Sequence, residues 1–241
     1  MISKNQIKFV KSLQKKKFRL LHQCFVVESS KNVHEILSSN YKIQEIYATR
    51  NWLKRNHITN KIPINQLSTR DLERISSLKN AADVLAVVNI PKTERKFDFK
   101  GVNIVLDDIK DPGNLGAIIR ICDWFGVKNI YCSEETVDTY NPKVVQSSMG
   151  SISRLNVIYT DIKKMIKNTD IKVYASVMNG KDVNQIKINE NSLIVFGNES
   201  RGISKEIKNI VSEKITIKKI GKAESLNVAS SAAIILNKFC N

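Results

Sequence analysis

The sequence predicts an α/β protein of two domains, the larger of which contains a parallel sheet. From Val102 onward, short continuous apolar segments alternate with helical patterns, as buried strands alternate with the helices that cover both faces of a parallel sheet. The 241 residues, 42% of them hydrophobic, are enough for one large or two modest cores. A charged segment without periodicity, residues 91–96, opens with proline and separates this regular part from a strongly basic N-terminal part.

The N-terminal domain, residues 1–90, is predicted to alternate helices and strands. Ser3 is placed to cap a basic helix that runs to about Leu13. The later predicted elements are, in order, a strand at Phe25–Val27, a helix at Lys31–Ser38, a strand at Ile43–Thr49, a helix at Leu67–Ile75 capped by Ser68 or Thr69, and a strand at Asp83–Val88. Residues 91–100 form the predicted linker.

The C-terminal domain, residues 101–241, is predicted to repeat a strand–helix pattern. The predicted strands are Val102–Leu106, Asn129–Cys132, Lys172–Ser176, Leu193–Phe196 and Lys214–Ile217. The predicted helices are Leu115–Phe125, Ile162–Lys167, Lys205–Ile210 and Leu226–Phe239. Asn114, Ser204 and Ser225 are placed to cap three of them.

The charge is unevenly distributed and indicates a polyanionic partner. The chain has 39 basic and 23 acidic side chains, a net charge of +16. Residues 1–100 carry a net +12 and residues 101–241 a net +4. Nucleic acid is the commonest partner of such a basic domain, and a solvated lysine-rich surface is the alternative interpretation.

Several classes of protein are excluded. No apolar run approaches the roughly 18 residues that span a bilayer, and the N-terminus lacks the uninterrupted apolar stretch of a secretory signal. The four cysteines are scattered without CxxC spacing, which favours reduced thiols in the cytoplasm and argues against a zinc site. The three histidines have no partner cluster, so no metal is predicted.

Three segments at the ends of predicted strands carry polar side chains, where α/β sheets bind their ligands. They are DPGNLGAIIR at 111–120, GNESRGIS at 197–204 and IKKIGKAESLN at 217–227. None matches GxGxxG or GxxxxGK[ST], so neither a dinucleotide fold nor a phosphate-binding P-loop is predicted. Taken one at a time, Arg120 fits a surface arginine, Glu199 a solvent-facing acid and Asn227 a structural residue.

Taken together, the three segments resemble the SpoU/TrmH family of knotted RNA 2′-O-methyltransferases. Asp111–Arg120 with Phe125-Gly126, Phe196–Ser204 and Ile217–Leu236 match its three ordered motifs. The N-terminal region resembles, more loosely, the ribosomal-protein-like RNA-binding domain of that family. Two departures are Lys218-Lys219 in place of Pro-Met, and Ser200-Arg201 where a small residue usually follows the glutamate.

The resemblance implies a SPOUT-type parallel sheet with a deep trefoil knot, and a homodimer in which the last helix is buried between subunits. It implies that S-adenosylmethionine binds in a bent shape, largely through backbone groups. The residues that match the cofactor pocket are Gly197, Ile217 and Leu226. The residues that match the catalytic and substrate-positioning set are Asn114, Arg120, Glu199, Ser225 and Asn227.

The predicted function is methyl transfer to a ribose 2′-hydroxyl in structured RNA. The additional N-terminal domain favours ribosomal RNA, with transfer RNA as the alternative. Arg120 is expected to position the phosphate and the hydroxyl, or to act as the base; a guanidinium normally stays protonated. Two other functions compete: a knotted RNA-binding protein without turnover, and a methyltransferase acting on a base nitrogen, which the ESLN core at 224–227 fits less well.

Overall fold

A computed structural model describes residues 2–58, 61–92 and 97–240, and contacts divide the chain into two compact units. The first unit contains Met1–Lys92 and Asp138–Ser153, and the second contains Thr93–Val137 and Arg154–Asn241. The predicted linker includes residues 93–96, which lie outside the described residues. The two predicted domains are continuous segments of the sequence. Residues 138–153, which fall in the predicted C-terminal domain, instead pack with the N-terminal unit.

The first unit is built on a four-stranded mixed sheet. Its strands are β1 (Cys24–Glu28), β2 (Ile43–Thr49), β3 (Ile64–Leu67) and β4 (Val84–Asn89), in the order β1-β4-β2-β3. β4 is antiparallel to both of its neighbours, and β2 and β3 are parallel. The helices that precede and connect them are α1 (Lys4–Ser12), α2 (Lys16–His22), α3 (Ser30–Leu37), α4 (Arg50–Arg55) and α5 (Thr69–Glu73).

The second unit is built on a parallel sheet, as predicted, with six strands where the sequence predicted five. Its strands are β5 (Val102–Asp107), β6 (Asn129–Cys132), β7 (Asn156–Tyr159), β8 (Lys172–Asp182), β9 (Ser192–Gly197) and β10 (Glu213–Thr216), in the order β10-β8-β9-β5-β6-β7. The helices of this half are α6 (Pro112–Trp124), α7 (Pro142–Ser148), α8 (Ile162–Lys167), α9 (Lys205–Lys208) and α10 (Val228–Phe239). Of these, α7 belongs to the first unit.

The two central strands of this sheet explain the apolar runs in the sequence. In β5, Ile104–Leu106 are fully buried, and in β9, Leu193–Phe196 are at most 1% exposed. A strand covered by helices on both faces has no solvent-facing side, so its apolar residues follow one another instead of alternating with polar ones.

The inserted segment 138–153 completes the first unit. Asp138 accepts hydrogen bonds from Arg19, whose side chain is 2% exposed and also donates to the carbonyl oxygen of Leu13 at 2.8 Å. The ring of Tyr140 lies 4.6 Å from that of Phe25, measured between centroids. A buried guanidinium needs such a partner, because an unpaired charge in the interior is costly.

Two of the predicted helix caps lie at other residues than expected. Ser3 caps α1, as predicted, and the structure shows that it does so in a capping box with Gln6. The cap of α6 is Asp111, not Asn114, because Pro112 is already its first helical residue. The cap of α10 is Asn227, not Ser225. Ser204 occupies the N-cap position of α9, but its side chain makes no capping hydrogen bond.

The cysteines pack in the interior. Cys24, Cys122 and Cys132 are buried, and burial raises the pKa of each of these thiols above its ordinary value. Within residues 2–58, 61–92 and 97–240 there is no group of three or more His, Cys, Asp or Glu side chains suited to a metal ion. No helix in that part of the chain is long and apolar enough to cross a membrane.

Candidate active site

The candidate site lies where the strand order of the second unit reverses. From β5 the chain proceeds to β6 and β7 on one side, and it then crosses to β8, β9 and β10 on the other. The neighbouring strands β5 and β9 end in register, with Asp107 opposite Gly197. A parallel sheet opens a crevice at such a reversal, beyond the carboxyl ends of its strands.

Glu199, in the loop after β9, is held by the loop after β5. Its carboxylate accepts hydrogen bonds from the backbone N–H of Lys110 at 3.2 Å and of Asp111 at 3.1 Å. It also accepts one from the side-chain amide of Asn114 at 2.9 Å. Two of the predicted motifs are therefore joined through one carboxylate.

Asn227 brings the third motif to the same place. Its Nδ2 donates to Oδ1 of Asn114 at 2.8 Å, while its Oδ1 accepts from the backbone N–H groups of Ala229 at 2.8 Å and Ser230 at 3.3 Å. Glu199, Asn114 and Asn227 thus form one hydrogen-bonded chain, which we call the Glu–Asn–Asn chain. It includes three of the five residues predicted to be catalytic or substrate-positioning.

The electrostatics of Glu199 follow from these contacts. Partial burial raises the pKa of its carboxyl, but the hydrogen bonds from Asn114 and from backbone N–H groups outweigh that effect, so the pKa lies below the ordinary value. The group is therefore ionised at neutral pH. Its carboxylate accepts from the Asn114 amide and so orients that side chain.

A second cluster supports the two loops, and sequence reasoning missed it. Asp108 has a left-handed backbone, φ 62°, and its carbonyl oxygen accepts from Nδ2 of Asn198 at 2.8 Å. Its carboxylate pairs with Arg201 and Lys110, and Asp107 accepts from the backbone N–H of Ser204 at 2.7 Å. The signal available in the sequence was two acids directly after a buried strand.

Neither Arg120 nor Ser225 is part of the Glu–Asn–Asn chain. Arg120 lies on α6, and its guanidinium is exposed, with no hydrogen bond or ion pair to any described residue. Ser225 is exposed in the loop before α10 and likewise makes no side-chain hydrogen bond within the described chain. Both groups remain available to a ligand.

Gly197 has a packing reason to be glycine. A Cβ there would lie 2.2 Å from the nitrogen of Ile203 and 2.3 Å from the carbonyl carbon of Gly202. The loop therefore folds back directly over Gly197, where the backbone N–H and C=O groups of Asn198 and Gly202 pair with one another at 2.9 and 3.1 Å.

The loop from Ile217 to Leu226 has the groups that a nucleoside-containing cofactor would need. Residues 218–227 are all exposed. Within the described chain, the backbone N–H groups of 218–226 donate to no other backbone group, and Ile220 and Leu226 present apolar side chains. Unpaired backbone donors and acceptors beside apolar side chains fit the mixed polar and apolar surface of S-adenosylmethionine.

A groove of about 350 Å³ adjoins this loop. Its lining residues are Val183, Asn184, Ile217, Ile234, Asn237 and Lys238. Of the three residues predicted to line the cofactor pocket, Ile217 lines this groove, whereas Gly197 and Leu226 do not.

Comparison with protein families gives a match for each of the two parts of the chain. The model of the SpoU rRNA Methylase family matches residues 101–237, and that of the MRM3-like substrate binding domain matches residues 4–86. The 23S rRNA (guanosine(2553)-2′-O)-methyltransferase RlmP of Bacillus subtilis is 28% identical over 239 residues, which cover 97% of this chain and 96% of that protein. The tRNA (guanosine(18)-2′-O)-methyltransferase of Aquifex aeolicus is 30% identical over 143 residues, which cover 57% of this chain and 67% of that protein.

Solved structures give the same result. A protein of Porphyromonas gingivalis assigned to the TrmH family of RNA methyltransferases superposes with a TM-score of 0.90 at 32% identity, over 99% of this chain and 98% of that one. The SpoU methyltransferase AviRb of Streptomyces viridochromogenes, crystallised with AdoMet, shares the fold, with a TM-score of 0.86 at 20% identity over 99% and 97% of the two chains. With its three motifs joined at the strand-order reversal and matched by the family model, the chain belongs to the SpoU rRNA methylase family.

Proposed function

We propose that the protein transfers a methyl group from S-adenosylmethionine to a ribose 2′-hydroxyl of ribosomal RNA. The observation that carries the proposal is the Glu–Asn–Asn chain, which joins all three family motifs at the crevice of the sheet. These motifs belong to separate parts of the sequence, and a shared reaction site is the simplest reason for their meeting.

The loop from Ile217 to Leu226 would hold the cofactor, through its unpaired backbone groups and apolar side chains. When bound, S-adenosylmethionine supplies an activated, electrophilic methyl group. The protein therefore needs chiefly to orient the ribose oxygen. Alignment of reactants can contribute about 7–11 kcal/mol to the lowering of a barrier.

Arg120 is the residue that we assign to the RNA. It is exposed and makes no ion pair with the described residues, so its guanidinium is free to bind a phosphate. A phosphate adjacent to the target ribose would be fixed by two parallel N–H donors. The same positive charge would stabilise the alkoxide that develops as the hydroxyl loses its proton.

Ribosomal RNA is favoured over transfer RNA by the extent of the matches. The rRNA enzyme RlmP matches this chain almost from end to end, whereas the tRNA enzyme of Aquifex aeolicus matches 57% of it. The N-terminal unit, which matches a substrate binding domain, is shared with the former. Ribosomal RNA is therefore the proposed substrate.

The test is a transfer assay with tritiated S-adenosylmethionine and RNA from a strain that lacks the gene. We expect label in ribosomal RNA, recovered as a 2′-O-methylated nucleoside after digestion. Arg120→Ala should abolish turnover while calorimetry shows unchanged cofactor affinity. Lys163→Ala removes an exposed cation from α8, which carries no site residue, and should leave turnover intact.

Each other outcome rejects part of the proposal. Label in transfer RNA rejects ribosomal RNA as the substrate, and a methylated base rejects the ribose. Full turnover by Arg120→Ala rejects the role of that guanidinium. If the protein binds RNA but neither S-adenosylmethionine nor S-adenosylhomocysteine, it is an RNA-binding protein without turnover.

We also propose that the enzyme is a cytoplasmic homodimer. Its cysteines are unpaired, as in a reducing compartment. On α6, Trp124 is 84% exposed, and on α10, Ile234 is 43% exposed, so each helix presents apolar surface that a second subunit would cover. Light scattering should show a dimer that Trp124→Glu disrupts. Leu21→Glu, which charges an exposed leucine of the first unit, should leave the dimer intact.

A further inference from the structure

The first 23 residues are far more basic than the rest of the N-terminal unit. They contain seven basic side chains and no acidic one, whereas residues 24–92 contain ten basic and six acidic side chains. Six of the seven are exposed lysines on or between α1 and α2, and none forms an ion pair with a described residue: Lys4, Lys8, Lys11, Lys15, Lys16 and Lys17. Their charge is therefore available to a polyanion.

The seventh basic residue fixes the helices that present these lysines. Arg19 is buried and bound to Asp138 and to the carbonyl oxygen of Leu13. Val10 on α1 and Leu13, directly after that helix, are buried in the core of the unit. Because both helices are anchored, the backbone that carries the lysines is held in place. Binding to them does not first have to order the backbone.

Exposed leucines and a histidine follow these lysines along α2. On α2, Leu20 is 56% exposed and Leu21 is 68% exposed. His22 is also exposed, and its ring lies nearly parallel to that of Phe18, at 14° with centroids 6.4 Å apart. We call the six lysines together with Leu20, Leu21 and His22 the α1–α2 surface.

We propose that the α1–α2 surface binds an unpaired segment of the RNA substrate. The lysines would neutralise phosphates, and Leu20, Leu21 and His22 would pack against bases that are not stacked in a duplex. An A-form duplex offers phosphates and a shallow minor groove, but it hides the faces of its bases. Apolar side chains beside lysines therefore match a loop or single strand better than a helix of RNA.

An anionic membrane is the other polyanion that a basic, leucine-bearing helix could meet. The apolar face of α1 is already buried in the core, and α2 has only seven residues and two exposed leucines. Interfacial helices bury a continuous apolar face in the lipid. The area that remains here is too small for one, so RNA is the proposed partner.

The inference rests on the proposed function, in which RNA is the substrate, but its test needs no turnover. Fluorescence anisotropy measures the binding of a labelled RNA hairpin with an unpaired loop, and of a blunt RNA duplex, over a range of potassium chloride concentrations. The variants are Lys15/Lys16/Lys17→Ala and Leu20/Leu21→Ser in the full chain. The matched control, Lys31/Lys54/Lys79→Ala, removes three exposed lysines from elsewhere in the same unit.

We expect Lys15/Lys16/Lys17→Ala to weaken hairpin binding at least tenfold and to reduce the slope of log affinity against log salt by about 2, since each phosphate contact to a single strand contributes about 0.7. Leu20/Leu21→Ser should weaken hairpin binding but leave both the salt slope and duplex binding unchanged. The control triple variant should change affinity less than threefold. Circular dichroism checks that every variant is folded.

Equal losses in the two triple variants would overturn the inference, because binding would then depend on total charge. It would also be overturned if the duplex bound as tightly as the hairpin, or if the leucine variant bound like the wild type. Vesicles of phosphatidylglycerol that bound more tightly than the hairpin would identify a membrane surface instead. A protein that binds the hairpin as expected but transfers no methyl group would refute the proposed function alone.

Discussion

At the scale of single residues, the Glu–Asn–Asn chain has a fixed direction. An ionised carboxylate can only accept hydrogen bonds, so Asn114 must turn its NH₂ group toward Glu199 and its oxygen toward Asn227. Asn227 must then donate to Asn114 and use its own oxygen for the helix. One ionised carboxylate therefore sets the orientation of both amides in the crevice.

This direction predicts how stability depends on pH. Because the pKa of Glu199 is lower in the folded protein than its ordinary value of 4.5, its contribution is fully present above that value and is lost as the pH falls through the folded pKa. Glu199→Gln should be less stable than wild type to urea at pH 7, and the difference should shrink on acidification to about pH 3. A difference independent of pH would contradict an ionised Glu199.

At the scale of elements, Asn227 serves both a helix and the site. Its oxygen caps α10, and its amide donates to Asn114. Asn227→Asp keeps the capping acceptor and removes the donor, so we expect stability within about 0.5 kcal/mol of wild type and turnover reduced about 100-fold by misalignment. Asn227→Ala should lose turnover and also about 1 kcal/mol of stability. Equal urea midpoints for the two variants would contradict the capping role.

The conformation of the loop after β9 requires that residue 197 have no side chain. Gly197→Ala would force its methyl group into the backbone of Gly202 and Ile203, and such overpacking should cost about 1–3 kcal/mol in a urea titration. Gly221→Ala is the matched control, because a Cβ there meets nothing within 4 Å. We expect it to change stability by less than about 0.5 kcal/mol. Equal effects would mean that the loop moves freely away from Gly197.

The elements that the sequence predicted are those with a strong local signal. Continuous apolar runs such as those of β5 and β9 predicted the parallel sheet, and the structure confirms it; Ser3 marked the start of α1. The missed elements are α2, α4, α7, β3 and β7, which span four to seven residues. Such short segments have too few turns or alternations for periodicity to appear, and tertiary packing decides their structure.

At the scale of the whole molecule, the predicted family is confirmed. Hydrophobic periodicity, however, could not have predicted which residues meet at the site. Asn114 and Glu199 are 85 residues apart, and Asn114 and Asn227 are 113 apart. Only the order of the strands brings them together. The contacts of Asp108 with Asn198 and Arg201 were missed for the same reason. The trefoil knot and the dimer stay predictions.

Segment 138–153 means that cutting the gene at residue 92 does not release a self-sufficient module. The fragment 1–92 would lack both Asp138, which pairs with Arg19, and Tyr140, whose ring packs against Phe25. We expect this fragment to show poorly dispersed amide signals by NMR, whereas a fusion that appends residues 138–153 through a flexible tether should restore them. Exchange of substrate modules between relatives would then have to transplant two stretches of chain together.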